Sequence, residues 1–293
     1  MQNKKTLMDY ILLVVMALVI VVTLYPFLNV LAISLNDAVD TAKGGLHIWP
    51  RKFTLANYME VFSRNKQLLR AFVNSVLRTV IGTGLGLMSS TMLAYTLSRK
   101  DFIFRKSISR LLVLTMYVSG GLIPSYMLIR KLGLINNFWV YIIPSLLNAY
   151  NVIVIRSFIE DIPDSIEESA RIDGASDFTI FYKIILPLSI PVLATVALFI
   201  AVGQWNSWFD TYLYARNNPK LTTLQYELMK ILDNANAQGN QLDPNNPLLQ
   251  QAKTTPESIK MAITVIATVP IIVTYPFLQK YFVSGLTLGA VKE

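Results

Sequence analysis

The chain has 293 residues, of which 53% are hydrophobic and 15% are charged, and its mean hydropathy is +0.46. This composition excludes an ordinary soluble domain and predicts an all-α integral membrane protein. The formal charge of +8 comes from basic residues spread over loops beside apolar runs, which indicates contact with anionic lipid headgroups and not with nucleic acid. The chain lacks cysteine, which excludes disulfides and thiolate metal sites, and the single histidine, His47, has no carboxylate or cysteine neighbours that would predict a metal site.

Six apolar runs along the chain are each long enough to cross a bilayer, which takes about 20 residues of helix. Glycines and a proline interrupt the third run (Gly120, Gly121 and Pro124), a pattern typical of a broken membrane helix. Small residues recur every four positions in the second run, which predicts close packing on another helix. The predicted spans are residues 10–35, 68–97, 108–129, 139–158, 188–209 and 259–282, and the small residues are Gly82, Gly86, Ser90 and Ala94.

A polar insert separates the fourth and fifth spans. Ser165 and Glu168 have the spacing of a capping box, which predicts that a helix begins there. Gly174 permits the positive φ that ends a helix and turns the chain. A second helix is predicted after Gly174, and four of its residues fall on one apolar face: Phe178, Phe181, Tyr182 and Ile185. The insert therefore carries charge on one side and aromatic residues on the other. Such a surface is suited to docking.

The polar segment at residues 210–257 follows the fifth span. Its first part has leucines and an isoleucine at helical spacing, which predicts a short amphipathic helix on the membrane or on a partner subunit. Its second part, residues 234–255, is polar and low in bulky residues, as expected of chain that reaches into water. The spaced apolar residues are Leu221, Leu224, Leu228, Ile231 and Leu232.

The insert resembles the cytoplasmic "EAA" loop of permease subunits in ATP-binding-cassette (ABC) importers. Serine replaces the second alanine of that pattern, which is a small-for-small change. The end of the chain is also similar to this family: residues 279–292 resemble the tail of the maltose-type G subunits, and most closely that of their LplC-like branch. The matching residues are Glu168, Ser169, Ala170, Asp173, Gly174, Ala175, Phe181, Ile184, Leu186 and Pro187, together with Gln204, Trp205 and Asn206.

This resemblance implies a type I (MetI-like) fold of six transmembrane helices with a cytoplasmic helix–turn–helix coupling loop. It implies three parts: a first span with an outer loop (1–67), a permease core (68–282) and a cytoplasmic tail (283–293). Within the core, the coupling loop is residues 160–187 and the outer loop is residues 210–257. The implied location is the bacterial inner membrane, with multiple spans and both termini in the cytoplasm.

The resemblance also implies partners: a homologous sister permease, two ATPase subunits and a solute-binding protein that delivers an oligosaccharide, with acidic ones such as alginate as a candidate class. ATP and Mg²⁺ would bind to the ATPase subunits, because this chain has no phosphate-binding Gly-x-x-x-x-Gly-Lys-Ser/Thr motif and is not expected to be an enzyme. The coupling role is expected of the seven EAA residues from Glu168 to Phe181. Contact with the binding protein is expected of Asn236, Gln238, Gly239 and Asn240.

Polar residues within the spans are candidates for the substrate path. The long side chain of Arg78 could extend towards the outer surface. Alternatively, Arg78 faces the cavity together with Asn74 and contacts sugar hydroxyls or carboxylates. Asn148 and Asn151 are candidates for the same path, and the alternative for them is a hydrogen bond to a neighbouring helix.

Two other classes of protein compete with this interpretation. An ion-coupled secondary transporter also suits six spans with a broken third helix, but the spans lack the acidic residues that usually couple ions. A membrane-embedded enzyme is the third option, and the sequence offers it no nucleophile with a base and no metal-ligand spacing.

Overall fold

The computed structural model describes residues 7–64, 66–238 and 255–290. Across these ranges the chain is nearly all helical, and the only β pairing is an isolated antiparallel bridge between Asn36 and Phe53. The predicted all-α class is therefore confirmed. The helices are α1 (Leu7–Ser34), α2 (Ala38–Ala42), α3 (Ala56–Arg64), α4 (Lys66–Ser98), α5 (Arg105–Tyr117), α6 (Leu122–Lys131), α7 (Ala149–Glu160), α8 (Asp164–Ile172), α9 (Asp177–Ile180), α10 (Leu186–Leu188), α11 (Ile190–Asn206), α12 (Phe209–Tyr214), α13 (Leu224–Gln238) and α14 (Pro256–Ala290).

Three helical segments in the described ranges are long and apolar enough to span a membrane by themselves: Leu7–Ser34, Gln67–Ser98 and Glu257–Thr274. Two bent helix pairs raise that number to five. The first joins Phe138–Ser145 to Ala149–Glu160 with a bend of 48°, and the second joins Asp177–Leu188 to Ile190–Asn206 with a bend of 80°.

The predicted third span is divided between α5 and α6. Gly121 separates them with a φ of 81°, a conformation that residues with a side chain rarely adopt. The two helices have 13 and 10 residues, so each is too short to cross the hydrocarbon alone. The break predicted from Gly120, Gly121 and Pro124 is therefore present, and it lies just before α6.

Two predicted elements differ from the structure in their local geometry. The fourth span is not one regular helix, because it starts with two 3₁₀ turns (Phe138–Tyr141 and Ile143–Ser145) before α7. The predicted amphipathic helix exists as α13, but it begins at Leu224, so Leu221 lies ahead of it. In α13 the side chains of Leu224 and Leu228 are buried.

The chain divides into two compact units. The first contains residues up to 69 together with 227–270. Its loop after α1 is ordered by polar contacts, in which the Asn36 amide and Arg51 Nε each donate to Asp40 Oδ2, at 3.0 and 2.9 Å. The Asn36 hydrogen bond, helped by Arg51, holds the pKa of Asp40 below its usual value. In the same unit His47 Nδ1 lies 3.0 Å from the Tyr25 hydroxyl, which gives the single histidine a packing role.

The second unit contains residues 70–226 and 271 onward, and it holds the polar insert. Its core joins α4, α7 and α11, and the small residues of α4 permit a close approach. A Cβ on Gly86 would lie 3.5 Å from Ile200 of α11, and one on Gly82 would lie 2.9 Å from the Gln204 side chain. The predicted packing stripe on α4 is confirmed, because Ser90 and Ala94 are also buried.

Candidate functional site

The insert is a helix–turn–helix whose turn is fixed by backbone hydrogen bonds. Gly174 follows the last residues of α8 with a φ of 81°. Gly174 N donates to Arg171 O and Ala175 N donates to Ala170 O, both at 3.0 Å. This is the Schellman arrangement, which satisfies carbonyl groups at the end of a helix and favours glycine at the left-handed position. The turn predicted at Gly174 is therefore confirmed.

The start of the insert differs from the prediction. The residue that caps α8 is Pro163, which makes no side-chain capping bond, and the helix begins at Asp164. Ser165 is inside the helix, so the predicted capping box is wrong. A carboxylate in the first turn is favoured by the helix dipole, and Asp164 occupies that place.

The seven EAA residues fall into two groups by burial. Ala170 and Phe181 are buried and Ala175 is half-buried, so these three attach the insert to the bundle. The other four are exposed on the outside of the turn and are free to meet another protein: Glu168, Ser169, Asp173 and Gly174.

The aromatic residues of the second limb do not share one face as predicted. Phe181 and Ile185 are buried, whereas Phe178 and Tyr182 are 72% and 63% exposed and their rings stack on each other, with centroids 6.5 Å apart. The four residues fall into two pairs, each four positions apart, of which Phe178 and Tyr182 face outward and Phe181 and Ile185 face inward. A π-helical turn at Phe181–Ile185 also interrupts the regular helical spacing in this limb. Ile172 is exposed as well, so the insert presents three large apolar side chains to its surroundings in addition to its exposed acidic residues.

Ion pairs connect the insert to the loop between α4 and α5. Arg99 pairs with Glu167 of α8, and Lys100 donates a hydrogen bond to Asp164. The Lys100 hydrogen bond and charge lower the pKa of the Asp164 carboxyl, so Asp164 is charged at neutral pH. A groove of about 610 Å³ lies between the loop and the insert, and Glu168 and Arg171 are among the residues that line it.

A second cavity, of about 630 Å³, lies between α4, α7 and α11, with Arg78 in its wall. Arg78 is only 2% exposed, so its side chain does not extend to the surface. Its Nη1 and Nη2 donate to Asp210 at 3.1 and 2.5 Å, and its Nε and Nη2 donate to Gln204 Oε1 at 3.1 and 3.0 Å. The guanidinium also lies over the Tyr141 ring, 4.5 Å from its centroid. Arg78 is thus neutralised within the chain and joins four segments of the wall.

The three predicted asparagines differ in position. Asn148 and Asn151 line the same cavity as Arg78, near the rings of Tyr150 and Phe199. Asn148 also caps α7, because its side chain accepts a hydrogen bond from Asn151 N at 3.2 Å. Asn74 is not among the residues that line this cavity, and its amide donates to Lys220 O and Thr222 O, both at 2.8 Å.

The predicted contact with the binding protein falls mostly beyond what can be described. Gly239 and Asn240 lie outside the described residues. Asn236 and Gln238 belong to the last turn of α13, where only the backbone is described.

Three important residues were not predicted. Asp210 and Gln204 complete the Arg78 cluster, and Glu167 pairs with Arg99. A buried arginine inside a span calls for an acidic partner, which was a usable signal for Asp210. Their separation of more than 120 residues from Arg78 hides this pairing from local patterns.

A multi-pass helical bundle that carries a cavity with both polar and apolar lining residues, together with an exposed helix–turn–helix, is the architecture of a membrane permease. A family model described as the inner membrane component of binding-protein-dependent transport systems matches residues 67–288. The chain belongs to this family. It is therefore a permease component of a transport system and not an enzyme, and the resemblance drawn from the insert is confirmed.

Individual relatives agree over nearly the whole chain. The polygalacturonan/rhamnogalacturonan transport system permease protein YtcP of Bacillus subtilis (strain 168) is 35% identical over 99% of this chain and 99% of its own length. Protein LplC of the same organism is 38% identical over 92% of this chain and 90% of its own. A chain in the crystal structure of a bacterial ABC transporter that imports the acidic polysaccharide alginate superposes with a TM-score of 0.83, at 29% identity, and covers 96% of this chain and 100% of its own.

Proposed function

We propose that this chain is one permease subunit of an ABC importer that takes up an oligosaccharide delivered by a solute-binding protein. It would pair with a homologous sister permease, and the pair would rest on two ATPase subunits that bind ATP and Mg²⁺. The exposed face of the insert is the observation that carries this proposal. The insert exposes the acidic Glu168 and Asp173, and it also exposes three apolar residues in spite of their size: Ile172, Phe178 and Tyr182.

The insert is suited to transmit force because both of its sides are fixed. The Schellman turn at Gly174 sets the angle between its limbs, and the buried Ala170 and Phe181 join it to the hydrophobic core. In the proposed mechanism, ATP binding closes the ATPase dimer, the docked insert moves with it, and the bundle rocks between inward-open and outward-open states. The coupling role belongs to the seven EAA residues, of which the exposed four dock and the buried three anchor.

The substrate is proposed to be an oligosaccharide, with acidic chains as the favoured class. The YtcP relative is named for polygalacturonan and rhamnogalacturonan, which contain galacturonic acid, and the solved transporter is involved in the import of the acidic polysaccharide alginate. Asn148 and Asn151 would hydrogen-bond to sugar hydroxyls, and Tyr150 and Phe199 offer ring faces beside them. Arg78 would shape this wall through its contacts with Asp210 and Gln204 and not by contacting the sugar.

The proposed orientation places the insert, the loop between α4 and α5 and both termini in the cytoplasm of a bacterial inner membrane. The basic residues of that short loop favour this side: Arg99, Lys100, Arg105 and Lys106. The segment from Asn236 to Asn246 would then face outward and contact the binding protein, with Asn236, Gln238, Gly239 and Asn240 as the contact residues.

Two substitutions test the docking role. Glu168→Lys reverses a charge on the exposed face, and Gly174→Val introduces a β-branched residue at a φ of 81°, a strain of about 1–2 kcal/mol. Both should reduce sugar uptake and the amount of ATPase that co-purifies, while the protein remains in the membrane. The matched control is Gly133→Val, because Gly133 follows α6 with a φ of 68° and has the same open space around it. The control should keep its ATPase. Wild-type uptake and co-purification in both insert variants would contradict the docking role.

A further inference from the structure

The end of α4 contacts both limbs of the insert. Arg99, which directly follows α4, pairs with Glu167 of α8, and the two side chains are only 16% and 19% exposed. The Arg99 guanidinium also lies 3.9 Å from Asp177 Oδ1 at the start of the second limb. A partly buried ion pair is screened less by solvent than an exposed one, so this contact restrains α8 more firmly than a surface pair would.

An aromatic contact adds to this ion pair one turn earlier on α4. Tyr95 is buried, its ring centroid lies 5.2 Å from that of Phe181, and the Arg99 guanidinium lies over the Tyr95 ring, 5.7 Å from its centroid. Phe181 begins the π-helical turn of the second limb. The first limb is therefore held through Glu167 and the second through Phe181, and both contacts converge on the last turn of α4.

α4 also forms a rigid connection between the insert and the cavity. It runs without a break from Lys66 to Ser98, and about 30 Å of helix separate Ser98 from Arg78 in the cavity wall. The covalent path from the insert to α11 is less direct, because it passes through the π-helical turn and then bends by 80°. A movement of the insert can be passed along α4 as a rigid body, whereas the path through α11 has a place to flex.

We propose that Arg99 is a positioning residue for transport. The Arg99–Glu167 pair and the Tyr95–Phe181 contact join the insert to α4. Through α4, a movement of the insert reaches the cavity wall at Arg78 and Asp210. This proposal rests on the proposed function, because it assumes that the insert docks on an ATPase. It assigns the transmission to α4 and gives Arg99 a role although it touches neither the sugar nor ATP.

The neighbouring ion pair offers a matched control. Lys100 pairs with Asp164, which joins the same loop to the same helix, but these side chains are 76% and 69% exposed. Exposed pairs contribute little to stability and hold geometry weakly. If any charge between the loop and the insert were sufficient, reversing Lys100 would have the same effect as reversing Arg99.

The test measures the sugar taken up per ATP hydrolysed, in the full complex with its binding protein, for Arg99→Glu, Glu167→Arg, the double exchange and Lys100→Glu. The two single reversals should each lower this ratio at least fivefold while the ATPase subunits still co-purify. The double exchange should restore the ratio to within twofold of wild type, and Lys100→Glu should remain within twofold. A residue that only stabilises the fold would reduce the amount of complex, with uptake and hydrolysis falling together and the ratio unchanged.

The outcomes separate this proposal from the proposed function. If the wild-type complex shows no uptake that depends on ATP, the proposed function fails. If the wild type transports and Arg99→Glu keeps its ratio, or the double exchange restores nothing, the role of Arg99 is overturned while the proposed function stands. Should Arg99→Glu fail to accumulate in the membrane, Arg99→Gln replaces it in the same comparison, with at least a threefold loss expected and an unchanged ratio overturning the role.

Discussion

Arg78 of α4, which is buried, pairs with the half-buried Asp210 of α12: two guanidinium nitrogens each donate to a different carboxylate oxygen, at 3.1 and 2.5 Å. Arginine stays charged in proteins, so a buried one needs a compensating partner. Gln204 Oε1 accepts two more hydrogen bonds from Arg78, and Ser207 O accepts one. Gln204 extends the cluster, because its amide donates to Tyr141 O at 3.1 Å and to Ser145 Oγ at 2.8 Å. The cluster thereby ties α4, the 3₁₀ turns, α11 and α12 into one wall.

Removing Asp210 should be costly for stability. Asp210→Ala leaves the arginine buried without its counter-charge, and breaking such a pair costs about 3–5 kcal/mol. We expect a clear drop in the melting temperature of the purified protein. The double variant Arg78→Met with Asp210→Ala removes both charges and should recover part of that loss. The expectation is contradicted if Asp210→Ala has the same melting temperature as the wild type, or if the double variant has a lower melting temperature than Asp210→Ala alone.

Two glycines of α4, one half-turn apart, should respond differently to alanine. A Cβ on Gly82 would lie 2.9 Å from the Gln204 amide, which is held by hydrogen bonds and has little freedom to move aside, whereas one on Gly84 meets nothing within 4 Å. Gly82→Ala should destabilise the protein by about 1–3 kcal/mol, as overpacking does. Gly84→Ala should be neutral or stabilising, because alanine favours a helix more than glycine. Equal melting temperatures for the two variants would contradict the close contact.

The turn of the insert shows what the sequence can predict. Glycine is nearly alone in tolerating a φ of 81°, so a helical pattern that ends at Gly174 indicates a turn with little ambiguity. The start of the same helix is predicted less well, because the spacing of Ser165 and Glu168 indicates a capping box, whereas the helix begins at Asp164, directly after Pro163. Similarly, periodicity assumes regular helical spacing, which the π-helical turn at Phe181 changes.

The cavity shows what the sequence cannot predict. Arg78 and Asn148 are recognisable as polar residues within spans, but their surroundings come from segments far apart in the chain. Asp210 lies in the segment that the sequence predicts as an outer loop, and only the tertiary fold brings it to Arg78. The Asn74 amide is directed to the backbone of another loop, which no local pattern indicates.

The proposed orientation predicts which side a reagent can reach. The chain has no cysteine, so single cysteines can be introduced without background labelling. Cysteine at Lys100 or Ser176, both exposed, should resist an impermeant thiol reagent in intact cells and react after the membrane is permeabilised. Cysteine at Lys43, exposed in the loop after α1, or at Asn240 should react in intact cells. Labelling of the cysteine at position 100 or 176 in intact cells would show the opposite orientation and would contradict the proposed docking of the insert on an ATPase.

The outer segment should matter for delivery and not for assembly. Deleting residues 236–246 removes the proposed contact with the binding protein, and we expect sugar uptake to fall at least tenfold while the ATPase subunits still co-purify. The increase in ATP hydrolysis caused by the loaded binding protein should be lost as well. A shortened chain that transports at the wild-type rate would show that the segment is only a connection between α13 and α14.

The central claim is that this permease couples ATP hydrolysis by its partners to the arrival of a loaded binding protein. The most direct measurement is the rate of ATP hydrolysis by the complete complex in proteoliposomes, with and without binding protein that carries an oligosaccharide. We predict a rate several-fold higher with the loaded protein than with the empty one. An unchanged rate, together with sugar uptake that follows an imposed ion gradient in the absence of ATP, would contradict the account and identify a secondary transporter.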